Sequence, residues 1–341
     1  MEKNLLSKNL HQWLLLLVCF MATLPSWAED YTEDGIIYDI NTSTNTATVK
    51  GLEDKSATSA EIRNSVAGCE VTSIGKSAFS GCSSLTSLNI PSSVTSIGSQ
   101  AFSYCSSLTS INIPSSVTSI GELAFFYCSA LTALTVDANN PNYCADGCML
   151  FNKERTTLIC AFGSQKTYNI PSSVTSIGEW AFSGCSALTS LNIPSSVTSI
   201  GEFTFYGCSA LTSINIPSSV TSIGSQAFSY CSSLTSLNIP SSVTSIGELT
   251  FCGCSALTAI NIPSSVTYIG SLAFYGCISL TSINIPSSVN SIREWAFSDC
   301  ISLTSINIPS SVTNIGEAAF SDCIYNHRTT KTNQKYPSVN L

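Results

Sequence analysis

The sequence predicts a solenoid: a strand-rich stack of short coils rather than a set of separate compact domains. Three observations predict it. A unit recurs in fixed register, marked by Pro91, Pro114, Pro171, Pro194, Pro217, Pro240, Pro263, Pro286 and Pro309, and every step is 23 residues except the 57 between Pro114 and Pro171. Apolar residues hold the same places in each unit. The motif F-x-x-C closes ten units, from Phe79/Cys82 to Phe320/Cys323. A unit of this length cannot bury enough apolar surface to offset its chain entropy. The units must therefore stack, each covering its neighbour's apolar face.

A period of about 20–29 residues is that of a leucine-rich-repeat solenoid. The residues of one unit give its parts. Leu191 and Ile193 alternate with Asn192, the two-residue period of a strand with one buried face. Pro194 ends that strand, because it lacks an amide for the ladder. "VTSIG" is a second extended stretch, with Gly201 at a tight corner. "EFTFYGC" then makes a short helical or 3₁₀ turn that brings Phe205 and Cys208 inward. The expected fold is thus a leucine-rich-repeat solenoid, α/β in class and β-rich, whose 23-residue coils each carry a short strand and such a turn.

The ends and one interruption depart from the pattern. Residues 1–28 carry Lys3 and Lys8, an apolar run from Trp13 to Leu24 and a small-residue site ending at Ala28, as a secretory signal peptide does. Residues 29–68 hold "GIIYDINTSTNTATVKG", two alternating runs about a polar turn, expected to form a hairpin cap followed by a degenerate first repeat. Repeats then fill 69–134. An irregular insert covers 135–169, with "CMLF" and "TLICAF" about "NKERT" as a second hairpin. Repeats resume over 170–323, and 324–341 is a non-repeat tail expected to be disordered.

Of 16 cysteines, Cys19 belongs to the leader. Export invites disulfides, but the spacing argues otherwise. Equivalent side chains on stacked coils lie about 4.8 Å apart and parallel, whereas a disulfide wants Cβ atoms about 3.8 Å apart with a set dihedral. A buried column of free thiols, acting as small apolar fillers, is expected. A disulfide among Cys144, Cys148 and Cys160 stays open. No metal site is expected, because the chain beyond the leader holds one histidine, His327, and neither Cys144/Cys148 nor Cys252/Cys254 has a second ligand pair.

Removing the leader takes out Lys3, Lys8 and Glu2 and leaves 11 basic against 20 acidic residues. That balance argues against nucleic acid or an anionic membrane as partner. No second apolar run is long enough to span a bilayer. No phosphate loop, nucleotide fingerprint or cofactor motif occurs. His327 is the one candidate base for a serine triad, so catalysis is not expected. Six acids, Glu122, Glu179, Glu202, Glu248, Glu294 and Glu317, follow the corner position as a column. They are expected to face the free amides of each turn, with calcium bridging as the sharper alternative.

What remains is surface. Asn89, Asn112, Asn169, Asn192, Asn215, Asn238, Asn261, Asn284 and Asn307 form a strand-face column flanked by serines. It suits a long hydrogen-bonding strip for an extended partner, or it only keeps the strands soluble. The insert adds a basic patch, Lys153, Arg155 and Lys166.

The pattern C-x-x-L-x-x-I-x-I-P-x-x-V-x-x-I-G-x-x-A-F, with the interposed "VDANNPNY…DGCMLFNKERTTLI", resembles the BspA-type leucine-rich repeats of bacterial and protist surface proteins over about 60–323. The chain departs from them at Cys148, an apolar position, and at Arg293, where the corner glycine belongs. The resemblance implies a secreted or cell-surface adhesin that binds host matrix proteins, host cells or neighbouring cells. A structural spacer without a dedicated ligand is the alternative.

Overall fold

The computed structural model describes residues 30–323. The leader with its cleavage site, the tail and His327 lie outside the described residues. Strands Asp30–Glu33, Ile36–Asn41 and Thr46–Leu52 form the expected antiparallel cap. Ile36, Tyr38, Ala47 and Val49 are its buried face. The Asn41 carboxamide oxygen accepts from the Ser43 and Thr44 amides (3.1 and 3.3 Å) and closes the hairpin turn. Thr46–Leu52 then pairs parallel with Cys69–Ile74, which starts the solenoid ladder. Ser59–Glu61 is the first strand of the second ladder, opposite Ser87–Asn89.

Each coil contributes to two parallel ladders. Ser190–Asn192 pairs with Ser213–Asn215, and Ser199–Ile200 pairs with both Ser176–Ile177 and Ser222–Ile223. The inward residues expected from the sequence, Leu188, Leu191, Ile193, Val197, Ile200, Phe205 and Cys208, are all buried. Phe rings stack coil on coil, with centroids 5.1–5.6 Å apart from Phe79 to Phe125 and from Phe182 to Phe320.

The third side of the coil differs from expectation. Among the described residues there is no helix. Instead, amides alternate between two kinds of partner. The Trp180, Phe182 and Gly184 amides donate to Glu202, Thr204 and Tyr206 in the next coil (2.8–3.0 Å), while Ala181, Ser183 and Cys185 donate three residues back. This geometry requires two left-handed residues per coil. Trp180 (φ 60°) and Gly184 (φ 73°) are the pair here, and Tyr104, Tyr127, Tyr230, Asp299 and Asp322 take the second place elsewhere. A helix cannot hold such residues.

The corner glycines are not left-handed. A Cβ on Gly201 would lie 2.6 Å from the Glu179 amide nitrogen and 2.8 Å from the Gly178 carbonyl carbon, so glycine is needed because coils approach closely there. Arg293 nonetheless keeps the ladder through its corner: its amide donates to Ile269 at 3.0 Å, as Gly201 does to Ile177 at 2.9 Å.

Serine and threonine hydroxyls bind neighbouring coils. The second serine of most "PSS" segments reaches the valine carbonyl of the coil before, as Ser196 does with Val174 and Ser219 with Val197 (2.6 and 2.7 Å), whereas Ser173 bonds the Arg155 carbonyl and the Ser93 and Ser311 hydroxyls find no partner among the described residues. Thr212 bonds the Thr189 carbonyl and Thr198 that of Thr175 (3.0 and 3.3 Å). The insert forms three antiparallel strands, Tyr143–Asp146, Met149–Asn152 and Thr157–Ala161. The last two are the expected hairpin; the first was not foreseen. Thr157–Ala161 rejoins the parallel ladder at Ser176–Ile177. Asn140, fully buried, seats the insert: its Nδ2 donates to Pro114 and Val117 carbonyls, and its Oδ1 accepts from Asn142 and Tyr143 amides, all at 2.9 Å.

Two substitutions separate core from surface. Phe228→Ala, which removes a fully buried ring stacked on both sides, should cost about 3–5 kcal/mol in denaturant unfolding. Asn238→Ala, exposed in the following coil, should stay within about 0.5 kcal/mol.

Candidate functional site

Two long surfaces flank the core. On the strand face all nine asparagines are exposed. Asn192 opposes Asn215, and Asn238, Asn261, Asn284 and Asn307 oppose one another in turn. Asn112 opposes Thr135 and Asn89 opposes Glu61. Among the described residues, side-chain hydrogen bonds in this column run from Asn215 to Asn192 (3.1 Å) and from Thr135 to Asn112 (2.8 Å). Where the column meets the cap, Asn89 and Asn112 line a polar hollow of about 740 Å³ with Asp34, Glu61 and Arg63. Arg63 is fixed there by Glu33 (3.2 Å) and Asp34 (2.6 Å).

The insert's basic residues stand on two columns. Lys166 is exposed beside Thr189, whose amide and hydroxyl both bond its carbonyl (2.9 and 3.1 Å). Lys153 and Arg155 sit in the turn after Asn152. Lys153 Nζ donates to the Ala138 carbonyl (2.9 Å), and Arg155 pairs with Asp146 (3.1 Å). The six column glutamates are exposed. With no helix, their carboxylates have no helical amides to cap; it is the backbone carbonyls of Glu202 and Glu248 that accept, from Trp180 and Gln226. Among the described residues no cluster of three or more His, Cys, Asp or Glu is placed to hold a metal ion.

All fifteen described cysteines are free thiols, including Cys144, Cys148 and Cys160. The column thiols are more than fillers. Cys105, Cys128, Cys208, Cys231, Cys254, Cys277, Cys300 and Cys323 each donate Sγ–H to the phenylalanine carbonyl of the coil before, at 3.1–3.2 Å. Burial pushes the Cys105, Cys185 and Cys300 thiols up to about 12 from an ordinary 9.0. They stay protonated, which preserves the donor and leaves no nucleophile.

The turn face carries a band that the repeat pattern hid. Tyr104 stacks on Tyr127 (5.2 Å), Phe126 meets Tyr127 edge-on (4.5 Å), Trp180 stacks on Phe203 (3.8 Å), and Tyr206 meets Tyr230 edge-on (5.5 Å). Its signal in the sequence is that aromatics collect at the positions where the unit varies.

The model of the BspA-type leucine-rich repeat region matches residues 52–153, 160–277 and 244–336. The chain belongs to this family. None of the curated proteins matches it in sequence. Among solved structures, a leucine-rich repeat protein from Eubacterium ventriosum shares 26% identity and a TM-score of 0.65, covering 89% of this chain and 98% of its own. One from Bacteroides ovatus shares 28% and 0.43, over 87% and 93%. A leucine rich cell surface protein from Faecalibacterium prausnitzii shares 25% and 0.42, over 85% and 97%. The BspA-type coil accordingly shares its solenoid fold with the first of these.

The thiols give a pH dependence. A buried thiol whose folded value lies near 12 stabilises the fold fully below the unfolded value of 9.0 and loses that stability as pH rises through the folded value. Denaturant stability should therefore fall between pH 9 and 12. Cys105→Ala should make that fall shallower; an unchanged slope would remove the thiols as its cause.

Proposed function

We propose that this BspA-type chain is a secreted or cell-surface binding protein, adhesin-like, without catalysis. Its strand face engages host or neighbouring-cell surface proteins or matrix proteins. One observation carries this. The second serine of most "PSS" segments and the threonines just before the strands give their hydroxyls to carbonyls of adjacent coils, whereas the Asn carboxamides stand exposed in register beside the exposed strand-face serines, with one Asn–Asn and one Thr–Asn side-chain bond in the column. A residue kept only for solubility needs no amide; a strip that must pair with an extended partner does. The polar hollow at the cap, lined by Asn89 and Asn112, gives that strip a concave start. The secretory leader expected for residues 1–28 and the role implied by the family resemblance agree with an exported location. A uniform face with no rigid anchor favours many weak contacts summed along the strip.

The purified chain without its leader should bind immobilised matrix proteins or intact cells. Replacing Asn192, Asn215, Asn238 and Asn261 together by Ala should reduce binding more than about tenfold, and any one alone less than about twofold. Antibody labelling at the surface of the producing cell with no binding to any such target would support the structural spacer instead.

A further inference from the structure

Where the insert interrupts the repeat, the turn face opens. The turn of residues 121–126 comes before the insert and that of 179–183 after it. Strand Thr157–Ala161 stands between them: Ala161, not the earlier turn, donates to the Ala181 carbonyl (2.6 Å). The Phe stack breaks at the same place, since Phe125 stacks on Phe102 (5.6 Å) while Phe182 meets Tyr168 edge-on (5.3 Å, 67°). A cleft of about 130 Å³ results, lined by Leu123, Phe126, Ile159, Cys160 and Trp180, with Glu122 and Glu179 beside them.

Size, charge and shape together select the occupant. The volume is below the about 300–1,000 Å³ of small-molecule sites and is that of about four waters, so it suits one side chain. Both carboxylates are exposed. The ion pairs among the described residues engage Asp30, Glu33, Asp34 and Asp146, and neither Glu122 nor Glu179 is in one. The Trp180 indole is held flat against Phe203 (3.8 Å, 8°). An indole beside carboxylates favours a cation, and a planar, weakly hydrated guanidinium stacks better than an ammonium. We propose that this cleft binds one arginine side chain on an exposed segment of a partner protein. The proposal rests on the binding role above, and it adds one specific anchor to an otherwise repetitive surface. Tyr104 and Tyr127 on one side and Tyr206 and Tyr230 on the other continue the contact along the segment. Aromatic residues of this kind dominate binding energy at protein interfaces.

The test uses the chain without its leader and a short glycine-serine peptide carrying arginine, compared with the same peptide carrying citrulline, its neutral isostere. The arginine peptide should bind at least about tenfold more tightly than the citrulline peptide. The double variant Glu122→Gln/Glu179→Gln should lose about tenfold for it. Glu248→Gln/Glu317→Gln, which removes the same charge elsewhere in the column, should change it by less than about twofold. Thermal unfolding of both double variants should overlay that of the parent. Equal binding of citrulline and arginine, equal loss in the two double variants, or occupancy of the cleft by a neutral oligosaccharide would each overturn the site. Capture of matrix proteins or cells that survives Glu122→Gln/Glu179→Gln would overturn it too, while leaving the strand-face function standing.

Discussion

Register between coils is the constraint on which this molecule depends. No coil satisfies its own backbone. Alternate amides on the turn side donate forward by 22 residues, many on the strand sides donate back by 23 or 24, and the cysteine thiol reaches back by 26. The Phe79 carbonyl shows how tightly these fit, because it accepts from the Cys82 amide of its own coil and from the Cys105 thiol of the next, both at 3.1 Å. A coil longer or shorter by one residue would misplace every donor and slide its ring off the Phe stack. That dependence on neighbours explains why the copies are nearly identical, and why cysteine rather than alanine closes each one: alanine would fill part of the space but leave the carbonyl one donor short.

Much of this architecture was legible in the sequence. Period-2 alternation located Ser190–Asn192 and the cap hairpin, and the 23-residue spacing favoured the free thiols that the column carries. The turn side was not legible, for a physical reason. "EFTFYGC" has the composition of a helical turn, but left-handed Phe203 and Gly207 break it. Conformation there is imposed by the next coil, whose Ser225 and Ser229 carbonyls take the Phe203 and Gly207 amides (3.0 and 2.9 Å). The corner glycines were legible as corners, but the close approach of coils that requires them is not revealed by a single unit read alone. The Asn column is visible in the repeat itself, whereas the aromatic band is not, because its residues occupy the positions that differ from unit to unit.

The insert solves a particular problem: how to add residues to a stack that tolerates no change of register. Its strands form a partition between two cores. Leu150 joins the core running from Ile36, while Met149 and Phe151, its neighbours in the chain, join the core running to Ala319. Asn140 ties the partition to the coil before it and Thr157–Ala161 to the coil after it. The turn side is where this substitution is incomplete. Tyr127 lies across the gap: a Cβ on Gly184 would sit 3.0 Å from its ring, and one on Gly207 3.6 Å from its hydroxyl. The left-handed geometry alone admits Tyr or Asp at this place in other coils, so it is the neighbouring Phe126 and Tyr127 rings, 2.9 and 3.0 Å from such a Cβ, that require glycine at 184.

Repetition and interruption therefore support different kinds of recognition. Along the strand face of the regular coils the same Asn and Ser positions recur with few exceptions, so a partner meets similar groups at each step and gains strength chiefly by length. Unlike residues can converge only where the copying stops. Glu122 and Glu179 are successive members of one column, yet 34 inserted residues lie between their coils in the chain. It is this separation that admits Ile159 and Cys160 beside Trp180. The break that costs the stack one Phe–Phe contact is also where the acidic column, the aromatic band and an apolar recess meet.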